Sequence, residues 1–382
     1  MVPSPARLPA RHLRKTLSPL ISEAAKESRA DRYRKRFSAH SHVWMLLLHT
    51  MSANQSLRQS HASQLADPRV RRFLGMEEEP ISYSQLARSS ASRPASLFER
   101  LLFSVLGVAR GGGGKRRSKG GRDDPEGLRG VRLLDSTFFA LGPKRSPWGV
   151  WNKRGNSGVR LQTMLDPADG LPIGLGLELL CTNDANALGS LELSGLRGKT
   201  LVFDLGYYCH AHFERLIDGG AHFLTRLNAQ AHYKVRQSKK LPEGTLTTEE
   251  GDTLISDEIV TLGSPNNRNG AVLEGMRLLR SENEKGESYA FVSDRHDLEA
   301  LEVLGLYRKR WQIELFFRFL KRQLGALKLL GHSEEAVWLT ILVAAIVAVM
   351  MALSERRRPK GMTRVSWMRA LCAGFSMLRF SG

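Results

Sequence analysis

The chain has 382 residues, enough for two or three domains and a sizeable core, and its 42% hydrophobic content is ordinary for a globular protein. Its 57 Lys and Arg against 38 Asp and Glu leave a formal charge of +19, which favours a polyanionic partner, either nucleic acid or an acidic membrane surface. Three cysteines, Cys181, Cys209 and Cys372, stand in no metal-like spacing and read as free thiols in a reducing compartment, and no apolar run closely follows the basic N-terminus as in a signal peptide.

Residues 1–109 read as a helical N-terminal region. The first third of the chain is the most basic part: residues 1–130 hold 24 Lys and Arg against 11 Asp and Glu. Residues 1–30 are basic and Pro/Ser-bearing, and are expected to be partly disordered. "HVWMLLLHTM" reads as an apolar helix, and "SLRQSHASQLAD" as a short helix starting at a Ser cap. "ISYSQLARSSASRPASLFERLLFSVLGVA" reads as helix, turn near Pro94, and helix. Small Arg-bearing helices suit DNA binding, although a plain helical accessory domain fits the same pattern. Residues 110–130, with "RGGGGKRRSKGGRDDPEG", read as a Gly-rich basic linker that cannot pack a core.

The periodicity then changes. In residues 131–231, "VRLLDSTFFAL" is a strand, and "GVRLQTMLDPADGLPIGLGLELL" gives two strands around the turn "DPADG". "KTLVFDLGYY" is a fourth strand ending at Asp204, "HAHFERLIDGG" a helix closed by glycine, and "AHFLTRLN" a fifth strand. A three-strand meander followed by two strands joined through a helix predicts a mixed α/β sheet. Residues 232–288 read as a mostly β insertion of short strands, and residues 289–353 return to strand, loop and helix. Within the latter, Ala336 to Leu353 is 18 residues without a charge, the lower edge of membrane-spanning length, or else a helix buried in a large domain. Residues 354–382 form a basic tail.

Three carboxylates occupy telling places. Asp135 lies inside an apolar strand, Asp204 ends another, and Glu314 is the one acid in "YRKRWQIELFFRFLKRQLGALKLL". An acid within an apolar strand is costly unless it is paired or binds a cation. One such acid is usually a satisfied core residue; two plus a helical Glu, in a basic protein, suggest a metal site. On a helical wheel with Tyr307 at zero, Arg310 falls at about 300°, Glu314 at about 340° and Lys321 at about 320°. Ile313, Phe316, Leu320 and Leu324 fall on the flank between about 180° and about 260°. A carboxylate that binds a divalent metal, beside cations that hold phosphates, suits this stripe; a surface ion-pair ladder is the alternative. Trp311, at about 40°, could stack on a displaced base, with core packing the more ordinary role.

These motifs resemble the DDE transposases of bacterial insertion sequences, specifically the insertion sequence four family with its Y-x2-R-x3-E-x6-K signature. Tyr307, Arg310, Glu314 and Lys321 match that spacing in full, "LLDST" looks like the first acidic motif and "DLGYY" like the second. "RYRKRFSAHSHVWMLLL" and "SLRQ" look like the N-terminal region of the group, so the resemblance covers about residues 32–350. It implies an RNase H-like α/β fold: a five-stranded mixed sheet with flanking helices, a β insertion between the second Asp and the Glu, and a helical N-terminal region that recognises terminal inverted repeats.

By the same resemblance, Asp135, Asp204 and Glu314 are the catalytic, metal-binding triad, holding two Mg2+ or Mn2+ ions. Tyr307, Arg310 and Lys321 contact DNA; Arg226, at the end of a strand expected beside the site, is a further phosphate contact or else a structural ion pair. Water frees a 3′-OH at the element end, and that 3′-OH attacks target DNA. The partners implied are terminal inverted repeats and target DNA, a homodimer or higher synaptic complex, and no membrane; the location is the cytoplasm, with the nucleoid. Other readings are a catalytically inactive DNA-binding regulator or decayed copy, a metal-dependent DNA nuclease of the same fold, and a membrane protein.

Overall fold

A computed structural model of the chain describes residues 7–32, 37–52, 56–77, 79–111, 130–142, 144–151, 157–178, 184–241, 244, 246–264, 271–323 and 329–376. Most of the expected linker, the stretch 33–36, Cys181, Leu324 and the end of the basic tail lie outside the described residues.

In chain order, six helices come first: α1 (Arg7–Glu27), α2 (Ala39–Met51), α3 (Leu57–Ala66), α4 (Pro68–Leu74), α5 (Tyr83–Ser92) and α6 (Ser96–Gly111). Next are β1 (Val131–Ala140), β2 (Val150–Trp151), β3 (Ser157–Asp166), β4 (Leu171–Glu178), α7 (Asp184–Gly189), β5 (Thr200–Val202), α8 (His210–Asp218) and β6 (His222–Arg226). Then follow β7 (Tyr233–Ser238), β8 (Thr253–Leu262), β9 (Leu273–Glu282), β10 (Ser288–Ser293), α9 (Ala300–Lys309), α10 (Trp311–Arg318), α11 (Glu334–Ser354) and α12 (Arg364–Ser376). The chain divides into two units. One comprises residues 1–119, 142–148 and 317–382; the other comprises residues 120–141 and 149–316.

The first unit is helical. Residues 1–30, expected to be partly disordered, instead form α1 from Arg7. Ala10, Leu13, Leu17, Ile21 and Ala24 recur every three or four residues and are all buried, so one apolar stripe orders the helix despite Pro19 within it. α3 starts at a Ser cap: Ser56 accepts the Gln59 N–H at 3.2 Å, and the Gln59 side chain reaches back to the Ser56 N–H at 3.0 Å. Trp44 is fully buried and packs edge-on against Phe73 at 5.0 Å and against Phe375 at 5.1 Å. The membrane-length stretch is α11, capped by Ser333 and enclosed by α1, α2, α5 and α6. A helix apolar on every side needs such an enclosure, and 83% of its apolar window is buried within the protein.

The second unit is built on one sheet of ten strands, in the order β2-β3-β1-β5-β6-β10-β9-β8-β7, with β4 also on β3. β1, β5 and β6 run parallel; the remaining pairs are antiparallel. The β3–β4 hairpin turns at "DPADG", where Gly170 takes φ +68°, a conformation that disfavours any side chain. β5 is shorter than expected and stops at Val202, two residues before Asp204. The segment anticipated as an insertion of short strands instead extends the same sheet with two ten-residue strands, β8 and β9, and the edge strand β7. Phe203, Phe213 and Phe223 stack beneath the β5–β6 strands, with Phe213 and Phe223 4.4 Å apart.

The extended part of the sheet is anchored by a buried ion pair. Arg277 donates to both Asp257 oxygens at 3.0 and 2.7 Å, and to the carbonyls of Arg295 and Leu298 that lead into α9. Removing one partner leaves the other charge buried and unpaired. Asp257→Ala is therefore expected to cost about 3–5 kcal/mol, read as a lower urea midpoint, whereas a well-packed apolar replacement of both residues recovers most of that loss.

Candidate active site

The two aspartates are brought together by parallel pairing. The register that sets Val131 beside Thr200 and Leu133 beside Val202, carried on, sets Asp135 beside Asp204. Asp204 opens a 3-10 turn over Leu205–Tyr207, and its carboxylate accepts the Leu205 N–H at 2.8 Å. Asp135 Oδ1 accepts the Ser136 N–H at 2.7 Å. Glu314 comes from α10.

Between these acids lies Arg310. Its guanidinium donates to Glu314 Oε1 at 2.6 Å and stands 3.6 Å from Asp135 Oδ2. Burial works against the charged arginine, but Tyr307, Asp204 and Glu314 together hold its proton more tightly than usual. Asp135 is pushed up to about 6, first by burial; the Ser136 N–H and Arg310 oppose that rise, while Asp204 and Asp184 add to it. Among the described residues, no three acidic, histidine or cysteine side chains close on one point as a metal cage. The donor chemistry nonetheless suits a hard divalent cation: the carboxylates of Asp135, Asp204 and Glu314 are oxygen donors, and the Arg310 guanidinium lies against two of them.

The long helix expected from Tyr307 onward is interrupted. α9 ends at Lys309, α10 restarts at Trp311, and Phe319–Gln323 form a π-helical turn. Ile313, Phe316 and Leu320 are buried as the wheel required. Lys321, however, lies within that π turn, in the helical unit, where partial burial lowers its pKa. The wheel assumed one unbroken pitch, and the π turn changes it. Trp311 does not pack in the core: it is 50% exposed.

Beside Arg310, a cavity of about 460 Å³ is lined by Arg226, Tyr289, Phe291, Tyr307, Arg310 and Trp311, among others. Arg226 sits over the Tyr289 ring at 4.4 Å. Tyr307 is mostly buried against Phe291 at 4.7 Å, and burial pushes its hydroxyl up to about 12. The Tyr307 hydroxyl and Arg310 Nε are buried and have no hydrogen-bond partner among the described residues. Asp184, which no sequence motif marks, stands at the start of α7 and receives the Ser136 hydroxyl at 2.6 Å together with the Arg160 guanidinium. It falls in a loop-like stretch with no apolar periodicity to draw attention to it.

An α/β unit with Asp135 on one strand, Asp204 just past its parallel neighbour and Glu314 on a helix, in a strongly basic chain, is of the kind found in DNA-processing enzymes. The chain belongs to the transposase DDE domain family, which matches residues 126–350, and is a DNA transposase. It is 28% identical over 284 residues to a transposase relative from Sinorhizobium fredii, covering 73% of this chain and 74% of that one. It is 24% identical over 272 residues to the protein described as the transposase of an insertion sequence element in Geobacillus stearothermophilus, covering 70% of this chain and 66% of the relative. For a similar relative from Synechocystis the figures are 22% over 302 residues, 78% and 80%. A solved piggyBac transposase synaptic complex with hairpin DNA aligns with TM-score 0.48 at 10% identity, over 96% of this chain and 80% of that one. Transposases of the DDE family generally use divalent metals.

Because the raised Asp135 binds its proton more tightly when folded, the folded state loses stability as pH climbs from about 4 to about 6. Asp135→Asn is therefore expected to raise the melting temperature at neutral pH, by roughly 2 kcal/mol of stability, with the gain fading below about pH 6. Melting curves of both proteins across that range check it.

Proposed function

We propose that Asp135, Asp204 and Glu314 are the catalytic triad of cut-and-paste transposition and hold two Mg2+ or Mn2+ ions. One observation carries this reading. The side chain of Arg310 is shared between Asp135 and Glu314 and feels Asp204, so three acids from three separate elements face one cation position. When bound, the metal ions activate the attacking oxygen and stabilise the leaving one. The protein's own groups do the rest. With metal held by the carboxylates, Arg310 would be free to hold a phosphate, and Arg226 and Lys321 would each hold a phosphate of the DNA. Tyr307, with its unpartnered hydroxyl, hydrogen-bonds the strand. Trp311 offers an exposed face to a displaced base. Water first frees the 3′-OH at the element end, and the 3′-OH then attacks target DNA at the same site.

The strand order β4-β3-β1-β5-β6, with a meander followed by two parallel strands, supports an RNase H-like five-stranded core. In the same reading the helices of residues 1–109 recognise terminal inverted repeats, the 110–130 segment links them to the core, and β7–β9 clamp DNA. β7 is exposed along its whole length and carries Lys234 and Arg236. The protein acts as a homodimer or larger synaptic complex, in the bacterial cytoplasm on the nucleoid.

The test uses purified protein, Mg2+, a labelled element end and a target plasmid. Wild type nicks and joins; Glu314→Ala binds the end yet loses at least about 100-fold in cutting. Cutting by Glu314→Ala at the wild-type rate overturns the triad, and cutting without joining by the wild type reduces the protein to a nuclease. Separately, Lys234→Ala and Arg236→Ala are each expected to weaken binding to all DNA sequences alike and to lower the salt slope by about 1, measured by fluorescence anisotropy at several salt concentrations.

A further inference from the structure

Successive strand residues point to opposite faces, so Ser136 points away from the Asp135 side of β1. On the Ser136 face stands Asp184. Its Oδ1 accepts the Ser136 hydroxyl at 2.6 Å and pairs with Arg160, which itself donates to the Ser136 hydroxyl at 3.2 Å. Arg160 comes from β3, where it pairs with Phe138 of β1. The Asp184 carboxylate is thus held from two strands and is only 23% exposed.

The same carboxylate touches the second acidic motif. A Cβ on Gly206, two residues after Asp204, would stand 2.9 Å from Asp184 Oδ2. The 3-10 turn can close against Asp184 because position 206 has no side chain. Tyr207, the next residue, donates to Gln162 of β3 at 2.7 Å, so both ends of the turn are tied to this back face. The charge of Asp184 reaches both Asp135 and Tyr207.

We propose that Asp184 is a positioning residue that couples the two aspartate motifs. Through Ser136 it holds the Asp135 segment of β1, and through its contact with Gly206 it sets how closely the Asp204 turn approaches. Arg160 fixes the carboxylate in orientation. The inference rests on the metal-site reading above and adds a residue that touches neither metal nor DNA. Groups that orient metal ligands from behind typically contribute 10–100-fold to metal affinity or activity.

The experiment measures Mn2+ binding to the full chain by titration calorimetry. DNA binding and the melting temperature are followed in parallel for wild type, Asp184→Ala, Asp184→Asn, Gly206→Ala and the Asp184→Ala/Gly206→Ala pair. Asp184→Ala is expected to lose about 10–100-fold in Mn2+ affinity while binding DNA as before. Asp184→Asn, which keeps an acceptor for Ser136, regains part of that loss. Gly206→Ala alone falls similarly, but adds little once Asp184 is alanine, since its methyl then has nothing to displace. Should Asp184→Ala fail to fold, Asp184→Asn and Gly206→Ala carry the same comparison with wild type. Wild-type Mn2+ affinity in folded Asp184 variants, or losses that simply add in the double variant, overturns the proposal alone. A wild type that takes up no Mn2+ overturns the metal-site reading and this proposal with it.

Discussion

The catalytic half of this protein is organised around the cost of placing like charges together out of water. Asp135 lies within β1 and Asp204 just past β5, its parallel neighbour, and Asp135 is buried enough to be pushed up to about 6. Such a pair persists only beside a cation. Arg310 meets that need by bridging Asp135 and Glu314. In our reading the same carboxylates would hold the metal, so the arginine and the metal are alternative partners for one set of acids.

The sheet explains why the acids meet at all. Parallel pairing of β1 with β5 aligns positions far apart in the chain, and the antiparallel β3 braces β1 from its other side. On that braced side, Asp184, Arg160 and Gly206 form a polar layer behind the site, which must be small and fully paired to fit. The extension of the sheet through β9, β8 and β7 depends on a different buried charge, the Arg277–Asp257 pair. It ends in an exposed basic edge, where repulsion between like charges works against pairing with another copy of the same strand.

In the helical unit the same accounting is apolar. α11 is hydrophobic on all sides and finds its partners in α1, α2, α5 and α6, so the uncharged run that resembles a membrane span is accommodated as a core helix. α1 shows the converse: its Arg and Pro content masked an apolar stripe whose partners lie elsewhere in the chain, α6 and α12 among them.

Much was legible from residues alone, because it depends on local periodicity and spacing. The strand at "VRLLDSTFFAL", the hairpin at "DPADG", the capped helix after Ser56 and the signature from Tyr307 to Lys321 are all written in nearest neighbours along the chain. The family was legible in that spacing. Tertiary structure decided what neighbours in sequence cannot express. It placed Lys321 within a π turn, seated Arg310 between two acids and brought Asp184 up against the Asp135 strand. Each of these depends on charge and volume supplied by segments distant in sequence, and only the folded sheet brings them within reach.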